Sequence, residues 1–460
     1  MLLPLITALI YRESPYPFII TAALMLLCGT VLTVTMRGES SIYAREGFLI
    51  VALSWLFMSL FGALPFVLSG VIPSFVSAFF ETVSSFTTTG ATTFTNLTGL
   101  PHGVLFWRSF THWIGGMGVL VFLTALMPKT NSRAVHIIRA ETTGPVKGGK
   151  LVPKMRSTAT ILYALYFGLT VLEIIMLLFG GMSFFEAVTY SFATAGTGGF
   201  AISNAGLATF GSNYIYITVS VFMLLFGVNF NLYYLIIMRN VKAFFKNEEN
   251  RWYFGIVGVS TVLIAWNIFK LFGTVGKSLL MAFFNVSTII TTTGFTITDF
   301  NEWPSFSKYI LVLLMLCGAC AGSTGGAVKV SRVIITFKSI KRSIRKMLRP
   351  NQVEVIHLNG SPLPEDAVQA TQNFMLLYFG VLFASALLVS LNGYDLVTTV
   401  TATVSCLCNV GPGLGLVGPS GSFAIFSAPV KILLSLDMLM GRLELFPIVM
   451  LFIPAAWRRR

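Results

Sequence analysis

Four short polar tracts rich in threonine and glycine interrupt an otherwise apolar chain, and they constrain its fold more than any other feature. Their sequences are SSFTTTGATTFTN (84–96), SFATAGTGGFAISN (191–204), STIITTTGFTITDF (287–300) and SCLCNVGPGLGLVG (405–418). With 55% hydrophobic and 10% charged residues, the chain is typical of a helical membrane protein. Each tract is too polar to face lipid and too short to span a bilayer. The tracts must therefore be buried in protein or line a wet cavity.

Long apolar stretches and basic clusters alternate along the chain. Stretches long enough to cross a bilayer occur at 18–35, 48–70, 103–127, 158–181, 213–238, 253–275, 307–328, 370–391 and 427–453, and a shorter one at 2–10. Most of the 31 lysine and arginine residues lie between them, at 37–46, 129–156, 239–251, 329–349 and Arg458–Arg460. By the positive-inside rule these clusters are cytoplasmic. The net charge of +14 therefore indicates topology and not nucleic-acid binding.

A segment of roughly ten apolar residues precedes each polar tract. These segments are 78–86, 184–192, 282–290 and 394–404, and the first three place two phenylalanines before Glu81, Glu186 or Asn285. Ten helical residues rise about 15 Å, which is half of the hydrocarbon core, so the segments are predicted to be re-entrant half-helices. The chain is then a fourfold repeat of span, half-helix, tract and span.

The predicted fold class is an all-α polytopic membrane protein. Four covalently linked span–pore-helix–span repeats are expected in pseudo-fourfold symmetry around one pore, together with an N-terminal helix pair. The expected boundaries are 1–46 for that pair, with a short first helix, and 47–156, 157–251, 252–366 and 367–460 for the repeats. The N-terminus lacks the basic region and small-residue site of a cleaved signal, so none is expected.

The tracts have the chemistry of a cation filter. Rings of backbone carbonyls and threonine hydroxyls replace the hydration shell of an ion, and glycine allows the backbones to approach closely. The half-helices would aim their partially negative C-terminal ends at the centre, which favours a cation. The threonine–glycine runs contain no carboxylate, so a monovalent ion is favoured over a divalent one.

Several motifs resemble one known family. T-T-T-G-A at 87–91, G-G-F at 198–200, T-T-T-G-F at 291–295 and N-V-G-P-G at 409–413 resemble the four filter segments of the Trk/Ktr/HKT potassium-transporter superfamily. The likeness is closest to bacterial TrkH-type transport subunits. It extends to A-R-E-G-F-L-I at 44–50, H-W-I-G-G-M-G at 112–118, C-A-G-S-T-G-G at 320–326 and G-R-L-E at 441–444. The resemblance implies potassium uptake through a channel-like pathway.

The resemblance also assigns filter residues. The four filter glycines would be Gly90, Gly199, Gly294 and Gly411, with Gly196 and Gly198 as alternatives in the second tract. The filter as a whole would comprise Thr88, Thr89, Gly90, Ala91, Gly198, Gly199, Phe200, Thr292, Thr293, Gly294, Phe295, Asn409, Val410, Gly411 and Pro412. K⁺ would bind at Thr88, Thr89, Thr197, Gly198, Thr292, Thr293, Asn409 and Val410. In the family, serine in place of the first glycine goes with sodium preference, so Gly90 favours potassium.

The stretch LCGACAGSTGGAVKV (316–330) interrupts the seventh long span with four glycines. Each glycine costs about 1 kcal/mol against alanine in a helix, so an unwound intramembrane loop is predicted. Close helix packing through small residues is the alternative. The loop is expected to act as a gate, as in the resembling family, through Gly318, Ala321, Gly322, Ser323, Thr324, Gly325, Gly326 and Arg442.

Arg442 is a charge inside the last span, where charged side chains are costly and usually paired. Asp437 and Glu444 lie five and two residues away, so neither is an i±3 or i±4 neighbour. The carbonyls of residues 318–326 are the predicted partners, with Arg442 as a barrier to cations in the pore. Pairing with Asp437 through a bend is the alternative.

Other acidic residues have simpler interpretations. Glu81 and Glu186 are predicted to lie at half-helix N-termini, where a carboxylate complements the helix dipole, and not to bind ions. Three further acids are expected at the outer mouth: Asp299, Glu302 and Asp395. An intramembrane enzyme is not expected, because no nucleophile–base pair lies at membrane depth.

The remaining expectations concern partners. The resemblance implies a homodimer in the bacterial inner membrane, with a TrkA-type nucleotide-binding regulatory ring docked near the basic helix at 329–352. K⁺ is the expected transported ion, with no organic cofactor. A symporter that couples potassium to protons or sodium is the alternative, although the tracts lack the carboxylates and histidines of a proton relay.

Overall fold

The computed structural model describes residues 1–35, 44–118, 155–352 and 354–457. Most of the basic cluster at 129–156, the end of the predicted span at 103–127, and Arg458–Arg460 lie outside the described residues. The described chain is mainly helical, which confirms the predicted helical class. Its described β-structure is a two-residue antiparallel pair, β1 (His357–Leu358) with β2 (Ser361–Pro362).

The helices follow the order of the predicted repeats. The N-terminal pair is α1 (Leu2–Ile10) and α2 (Tyr16–Thr35), and the first repeat region holds α3 (Ala44–Gly62), α4 (Leu64–Leu68), α5 (Phe75–Phe86) and α6 (His102–Gly116). The second holds α7 (Met155–Phe179), α8 (Phe184–Ala195), α9 (Asn213–Phe226), α10 (Phe230–Ile237) and α11 (Val241–Lys246). The third holds α12 (Glu248–Asn267), α13 (Phe269–Phe272), α14 (Val275–Ile290), α15 (Ser305–Cys317) and α16 (Val330–Leu348). The fourth holds α17 (Glu365–Val389), α18 (Leu396–Cys408), α19 (Ala428–Arg442), α20 (Phe446–Leu451) and α21 (Pro454–Trp457).

Fewer helices run uninterrupted across a bilayer than the apolar stretches predict. Among the described residues, four are long and apolar enough, namely Tyr16–Thr35, Glu46–Leu68, Ala159–Phe179 and Glu365–Asn392. A fifth span is possible if α9 and α10, which meet at a bend of 92°, count as one. By length and composition the chain is a multi-pass membrane protein.

The prediction of a continuous helix over 213–238 is wrong. The helix ends at Phe226, and Asn229 begins α10 by accepting a hydrogen bond from the Asn231 amide at 2.9 Å. The amide of Phe230 donates to the carbonyl of Gly322 at 3.1 Å, outside the helix ladder. The break therefore results from an internal N-cap together with a tertiary hydrogen bond.

The prediction of a continuous helix over 427–453 is also wrong. The helix ends at Arg442, and Glu444 and Leu445 adopt positive φ values of 56° and 69°. A left-handed residue cannot continue a right-handed α-helix, so α20 starts afresh at Phe446. The second long helix is thus interrupted in the second, third and fourth repeat regions.

Short helices precede all four tracts, at the positions where half-helices are predicted. They are α5, α8, α14 and α18, with 12, 12, 16 and 13 residues. Each packs against the second long helix of the preceding region: α8 on α6, α14 on α9, and α18 on α15. The series closes, because α5 of the first region packs on α19 of the fourth.

The surface and the interior are distributed as a bilayer requires. Leucines on the long helices are exposed, as with Leu26 at 70% and Leu376 at 77%. The short helices and tracts instead bury polar side chains completely, as with Thr87 and Ser287. The surface is therefore apolar and the interior is polar, which places the four tracts in the centre of the molecule.

Candidate ion-conduction site

The short helices end in one common hydrogen-bonding pattern. In every tract, the amide of the residue before the predicted filter glycine donates to the carbonyl five residues earlier. These bonds join Thr89 to Ser84, Gly198 to Ala193, Thr293 to Thr288 and Val410 to Ser405, at 2.8–2.9 Å. This is the Schellman motif, which satisfies the last helical carbonyls and turns the chain out of the helix. The four tracts therefore leave their helices with the same geometry.

The Schellman motif usually has glycine at its left-handed position, but none of the four tracts has glycine there. Thr88, Thr197, Thr292 and Asn409 have φ values of 55–57°. A left-handed conformation costs roughly 1–3 kcal/mol, and it is most unusual for β-branched residues. All four side chains are buried. Strain that recurs at four equivalent positions indicates that the side chains themselves are needed there.

The predicted filter glycines follow two residues later, again with positive φ. In the next tract, the residue just before the predicted filter glycine points its carbonyl oxygen at this glycine. A Cβ added to any of the four glycines would therefore overlap that oxygen. The pairs, with the glycine first, are Gly90 with Gly198, Gly199 with Thr293, Gly294 with Val410, and Gly411 with Thr89. The contacts run from tract one through tract four and back to tract one. The four tracts consequently surround a common axis.

The second tract has glycines where the first and third have threonines, and His112 gives the reason. A Cβ at Gly198 would overlap the buried His112 ring, and a Cβ at Gly196 would overlap the His112 carbonyl. Gly199, with φ of 70°, occupies the position of Gly90. Among the three candidate glycines of this tract, Gly199 is therefore the structural counterpart of Gly90.

The residue after each glycine is also buried or packed in the ring. Ala91, Phe200 and Phe295 are at most 2% exposed. Pro412 lies beside Gly294, because its Cδ is one of the atoms nearest to a Cβ at that glycine. The structure thus brings all the predicted filter residues together at one place.

Threonine hydroxyls tie the tracts internally and to one another. Thr87 and Thr89 share a hydroxyl hydrogen bond of 2.8 Å, and Thr291 and Thr293 repeat it at 2.8 Å. The Asn409 amide nitrogen donates to the Thr89 hydroxyl at 2.9 Å, which links the fourth tract to the first. These bonds hold the hydroxyls at fixed positions along the axis.

The loop 318–329 separates α15 from α16, and it lies directly against the third and fourth tracts. The Gly326 amide donates to the Thr292 hydroxyl at 2.7 Å. A Cβ at Gly326 would overlap the carbonyl of Cys408, and one at Gly325 would lie 3.0 Å from the carbonyl of Thr291. The interruption predicted at 316–330 is therefore present, and the glycines allow the loop to touch the tracts.

Arg442 reaches this loop from α19. It donates to the Thr324 carbonyl at 2.8 Å, and Thr324 lies within the predicted range 318–326. It also donates to the carbonyls of Gly115 and Gly116 at the end of α6. Asp437, the alternative partner, accepts a hydrogen bond from Ser385 at 2.7 Å. Arg442 thus joins the first, third and fourth repeat regions on the side of the tracts where the loop lies.

The interpretation of Glu81 as a helix N-terminal residue is wrong. The helix begins at Phe75, so Glu81 lies in its middle, fully buried. Its carboxylate pairs with Arg108 at 2.8 Å and accepts the Thr93 amide at 2.8 Å. Glu186 does lie in the first turn of its helix, where it forms a capping box with Ser183.

This difference shows that the aligned Phe-Phe-acid motifs of the first two repeats are out of register by four residues. Nine residues before the glycine stand Glu81 and Asn285 in the first and third tracts, but Tyr190 in the second. Tyr190 is therefore the counterpart of Glu81, and Glu186 lies one helical turn before it. Glu81 and Glu186 share a helix face, but they do not occupy equivalent positions.

Arg108 is a residue that the sequence motifs did not single out. Its guanidinium lies 3.8 Å from the centroid of the Phe200 ring and donates to the Ala201 carbonyl at 3.2 Å. Together with its Glu81 pair, it fastens the first tract to the second. Arg108 is a charged residue within an apolar stretch, and this feature could have identified it as important, as it did for Arg442.

The acids predicted at the outer mouth have structural hydrogen bonds. Asp395 begins α18 by accepting the Thr398 amide at 3.0 Å, and hydrogen bonds from Thr398 lower the pKa of its carboxyl. Asp299 accepts the Ser420 hydroxyl at 2.7 Å. Glu302 ends a short 3-10 helix, Phe300–Glu302. Asp395 and Asp299 therefore stabilise the outer loops through hydrogen bonds, in addition to any attraction of their charges for cations.

Comparison with known proteins agrees with this geometry. The TrkH family, described as "Cation transport protein", matches residues 16–459. The Trk system potassium uptake protein TrkH of Salmonella typhimurium is 37% identical, over 100% of this chain and 96% of that protein. The protein TrkG of Escherichia coli is 30% identical, over 100% of this chain and 95% of that protein.

A solved structure is similar over the same extent. The crystal structure of the potassium transporter TrkH from Vibrio parahaemolyticus matches with a TM-score of 0.89 and 32% identity, over 99% of this chain and 96% of that one. The resemblance to TrkH-type subunits is confirmed, and the relatives are named as transport proteins and not as enzymes. This chain therefore belongs to the TrkH family of cation transport proteins.

Proposed function

We propose that this chain takes up potassium ions across the bacterial inner membrane, through a pore whose narrowest part is the ring of four tracts. The observation that carries the proposal is the closed series of glycine–carbonyl contacts from Gly90 through Gly411 and back. Such a ring sets four backbones around one axis. The relatives are named for potassium uptake, which agrees with the proposal.

The filter would select by replacing the hydration shell of K⁺. The amides of Thr89, Gly198, Thr293 and Val410 bond back into their own helices. Their carbonyls are then available to the ion, since no helical partner takes them. Four helix C-termini converge on the same place, so their dipoles add to the attraction for a cation. The left-handed turn residues, Thr88 and its equivalents, would supply a further layer of oxygen ligands.

The loop 318–329 and Arg442 would gate this pathway. The loop contacts the tracts through Gly326 and Thr292, and the Arg442 guanidinium places a positive charge beside it. A fixed cation near the axis repels K⁺, and the repulsion is strong where water is scarce. Opening would require the loop and Arg442 to move away from the axis.

Control of the gate is proposed to come from a cytosolic regulatory subunit of the TrkA type. The helix α16 begins at the end of the loop and carries arginines and lysines toward its C-terminus, including Arg345 and Lys346. A partner that binds this cationic helix could pull on the loop directly. The transport subunit itself is proposed to assemble as a homodimer.

Growth of a potassium-uptake-deficient bacterial strain tests the proposal. The chain, expressed with its regulatory subunit, should restore growth at low external potassium. A variant with Gly294→Ser is the matched negative control, since it changes the ring and little else. Absence of rescue with verified membrane expression would contradict potassium uptake. Rescue that disappears when the proton or sodium gradient is collapsed at constant membrane potential would support the coupled symporter instead.

A further inference from the structure

Glu249 is a buried carboxylate that lies outside the ring of tracts. It is in the first turn of α12 and only 5% exposed. One carboxylate oxygen accepts the Ala321 amide at 2.7 Å and the Ser331 amide at 3.1 Å. Ala321 is near the start of the loop 318–329, whereas Ser331 follows its end. A single side chain from another helix therefore holds both flanks of the loop.

The same carboxylate completes the start of α16. The N-cap residue of that helix is Lys329, which has φ of 79° and makes no side-chain cap hydrogen bond. The first amides of a helix need an acceptor, and a carboxylate there also complements the helix dipole. Glu249 provides both the acceptor and the negative charge, although it lies 82 positions before Ser331 in the sequence. The Lys329 side chain turns instead to the carbonyl of Gly325 within the loop.

Two further backbone contacts join the loop to the neighbouring helix break. The Cys320 amide donates to the Gly227 carbonyl at 3.1 Å, and the Gly322 carbonyl accepts from Phe230. These contacts do not touch α16. The Ala319 carbonyl of the loop also accepts the amide of Val330, the first residue of α16, but this bond lies within one stretch of chain. Glu249 differs because it bonds the loop and α16 from another helix, so that neither can shift relative to α12 without breaking one of its hydrogen bonds.

We infer that Glu249 is a positioning residue that latches the loop 318–329 against the tracts and couples it to the movement of α16. It acts through the backbone of Ala321 and Ser331 and does not contact the conducted ion. The inference rests on the proposed function, because it presumes that the loop is the gate. Hydrogen bonds to a buried carboxylate are strong, and their loss leaves two buried amides unsatisfied. Removing them should favour the state in which the loop has moved.

Three substitutions at Glu249 separate the effect of side-chain length from the effect of charge. Glu249→Met removes both the acceptor and the charge, Glu249→Asp keeps the charge but is one methylene too short for both amides, and Glu249→Gln keeps an acceptor oxygen without the charge. Single-channel recording in planar bilayers should show the open probability raised about tenfold or more by Met, raised clearly by Asp, and raised least by Gln. The unitary conductance and the K⁺/Na⁺ permeability ratio should not change, because the filter is untouched.

The adjacent residue supplies the control. Glu248 forms an ion pair with Lys338 on α16 and makes no hydrogen bond to the loop, so Glu248→Gln tests a contact with α16 alone and should leave the open probability unchanged. An unchanged or lowered open probability in Glu249→Met would overturn the latch. Asp behaving as wild type while Gln matches Met would also overturn it, because charge alone would then account for the effect. Failure of the wild-type protein to conduct K⁺ would contradict the proposed function, which is a separate result.

Discussion

At the residue scale, three threonines hold a backbone conformation that their own side chains oppose. Thr88, Thr197 and Thr292 are left-handed, although glycine would adopt that conformation without strain. The surrounding contacts must compensate, and for Thr292 one of them is the hydrogen bond from Gly326. The hydroxyl that would serve the ion therefore also contacts the loop, so the proposed filter and gate share an atom.

The filter glycines give the first prediction at this scale. Gly294→Ser should lower potassium selectivity, because the added Cβ would overlap the Val410 carbonyl and the φ of +85° opposes any side chain. The K⁺/Na⁺ permeability ratio, measured from reversal potentials, is expected to fall by about tenfold or more, as a loss of roughly 1.4 kcal/mol of discrimination would produce. Gly393→Ser is the control, since it has a similar φ of +77° and no atoms within 4 Å. Equal ratios in the two variants would contradict the assignment.

Arg442 gives the second prediction. Arg442→Gln removes the charge but keeps a donor for the Thr324 carbonyl, so the fold should persist while the barrier to cations falls. We expect a higher K⁺ flux into liposomes at the same membrane potential. Arg345→Gln is the matched control, because Arg345 pairs with Glu354 on the surface and is half exposed. No increase in flux would mean that Arg442 acts only as a structural tie between the repeats.

At the scale of elements, a buried ion pair fastens the first short helix to its neighbours. Glu81→Ala should destabilise the protein strongly, by about 3–5 kcal/mol, because Arg108 is left as an unpaired buried charge. The double variant Glu81→Met with Arg108→Met should recover part of that loss. Melting of the purified protein in detergent provides the measurement. An Arg345→Ala control should melt close to wild type, whereas a double variant less stable than the single one would contradict the explanation.

Local patterns were sufficient to predict several elements. The positions of the short helices, the tract spacing and the glycine-rich interruption each depend on a few consecutive residues. The predicted length of about ten residues was too short, because the helices have 12 to 16 residues. The breaks after Phe226 and Arg442 were missed, although Gly227 and Asn229 were visible signals of a helix end and a new N-cap. The first break also depends on a bond to Gly322, which is nearly a hundred positions away and could not be derived from local sequence.

Side-chain partners were much harder to predict. Arg108 meets Glu81 across 27 positions, and Glu249 meets Ala321 across 72. His112 begins one of the motifs of the family resemblance, but the steric exclusion of side chains at Gly198 by its ring is visible only in three dimensions. Such pairs depend on how the repeat regions pack, which one sequence does not specify. The composition predicted an ion site, whereas the groups that hold the four tracts in place were found only in the structure.

At the scale of the whole molecule, two independent series of contacts close into a ring. Each short helix packs on the second long helix of the preceding repeat region, and each proposed filter glycine contacts the carbonyl of the next tract. The helices and the tracts therefore share one axis. In the proposed fourfold repeat, a single chain would surround one pore as four identical subunits would, while each tract keeps its own residues, such as Asn409 and Gly198.

The bi-ionic reversal potential tests the central claim most directly. The protein would be reconstituted in a planar bilayer with K⁺ on one side and Na⁺ on the other, at equal pH. Potassium selection by the four tracts predicts a reversal potential displaced toward the K⁺ equilibrium potential, unchanged when a pH gradient is then imposed. A reversal potential near zero would contradict potassium selection by the four tracts, and one that follows the pH gradient would contradict channel-like conduction.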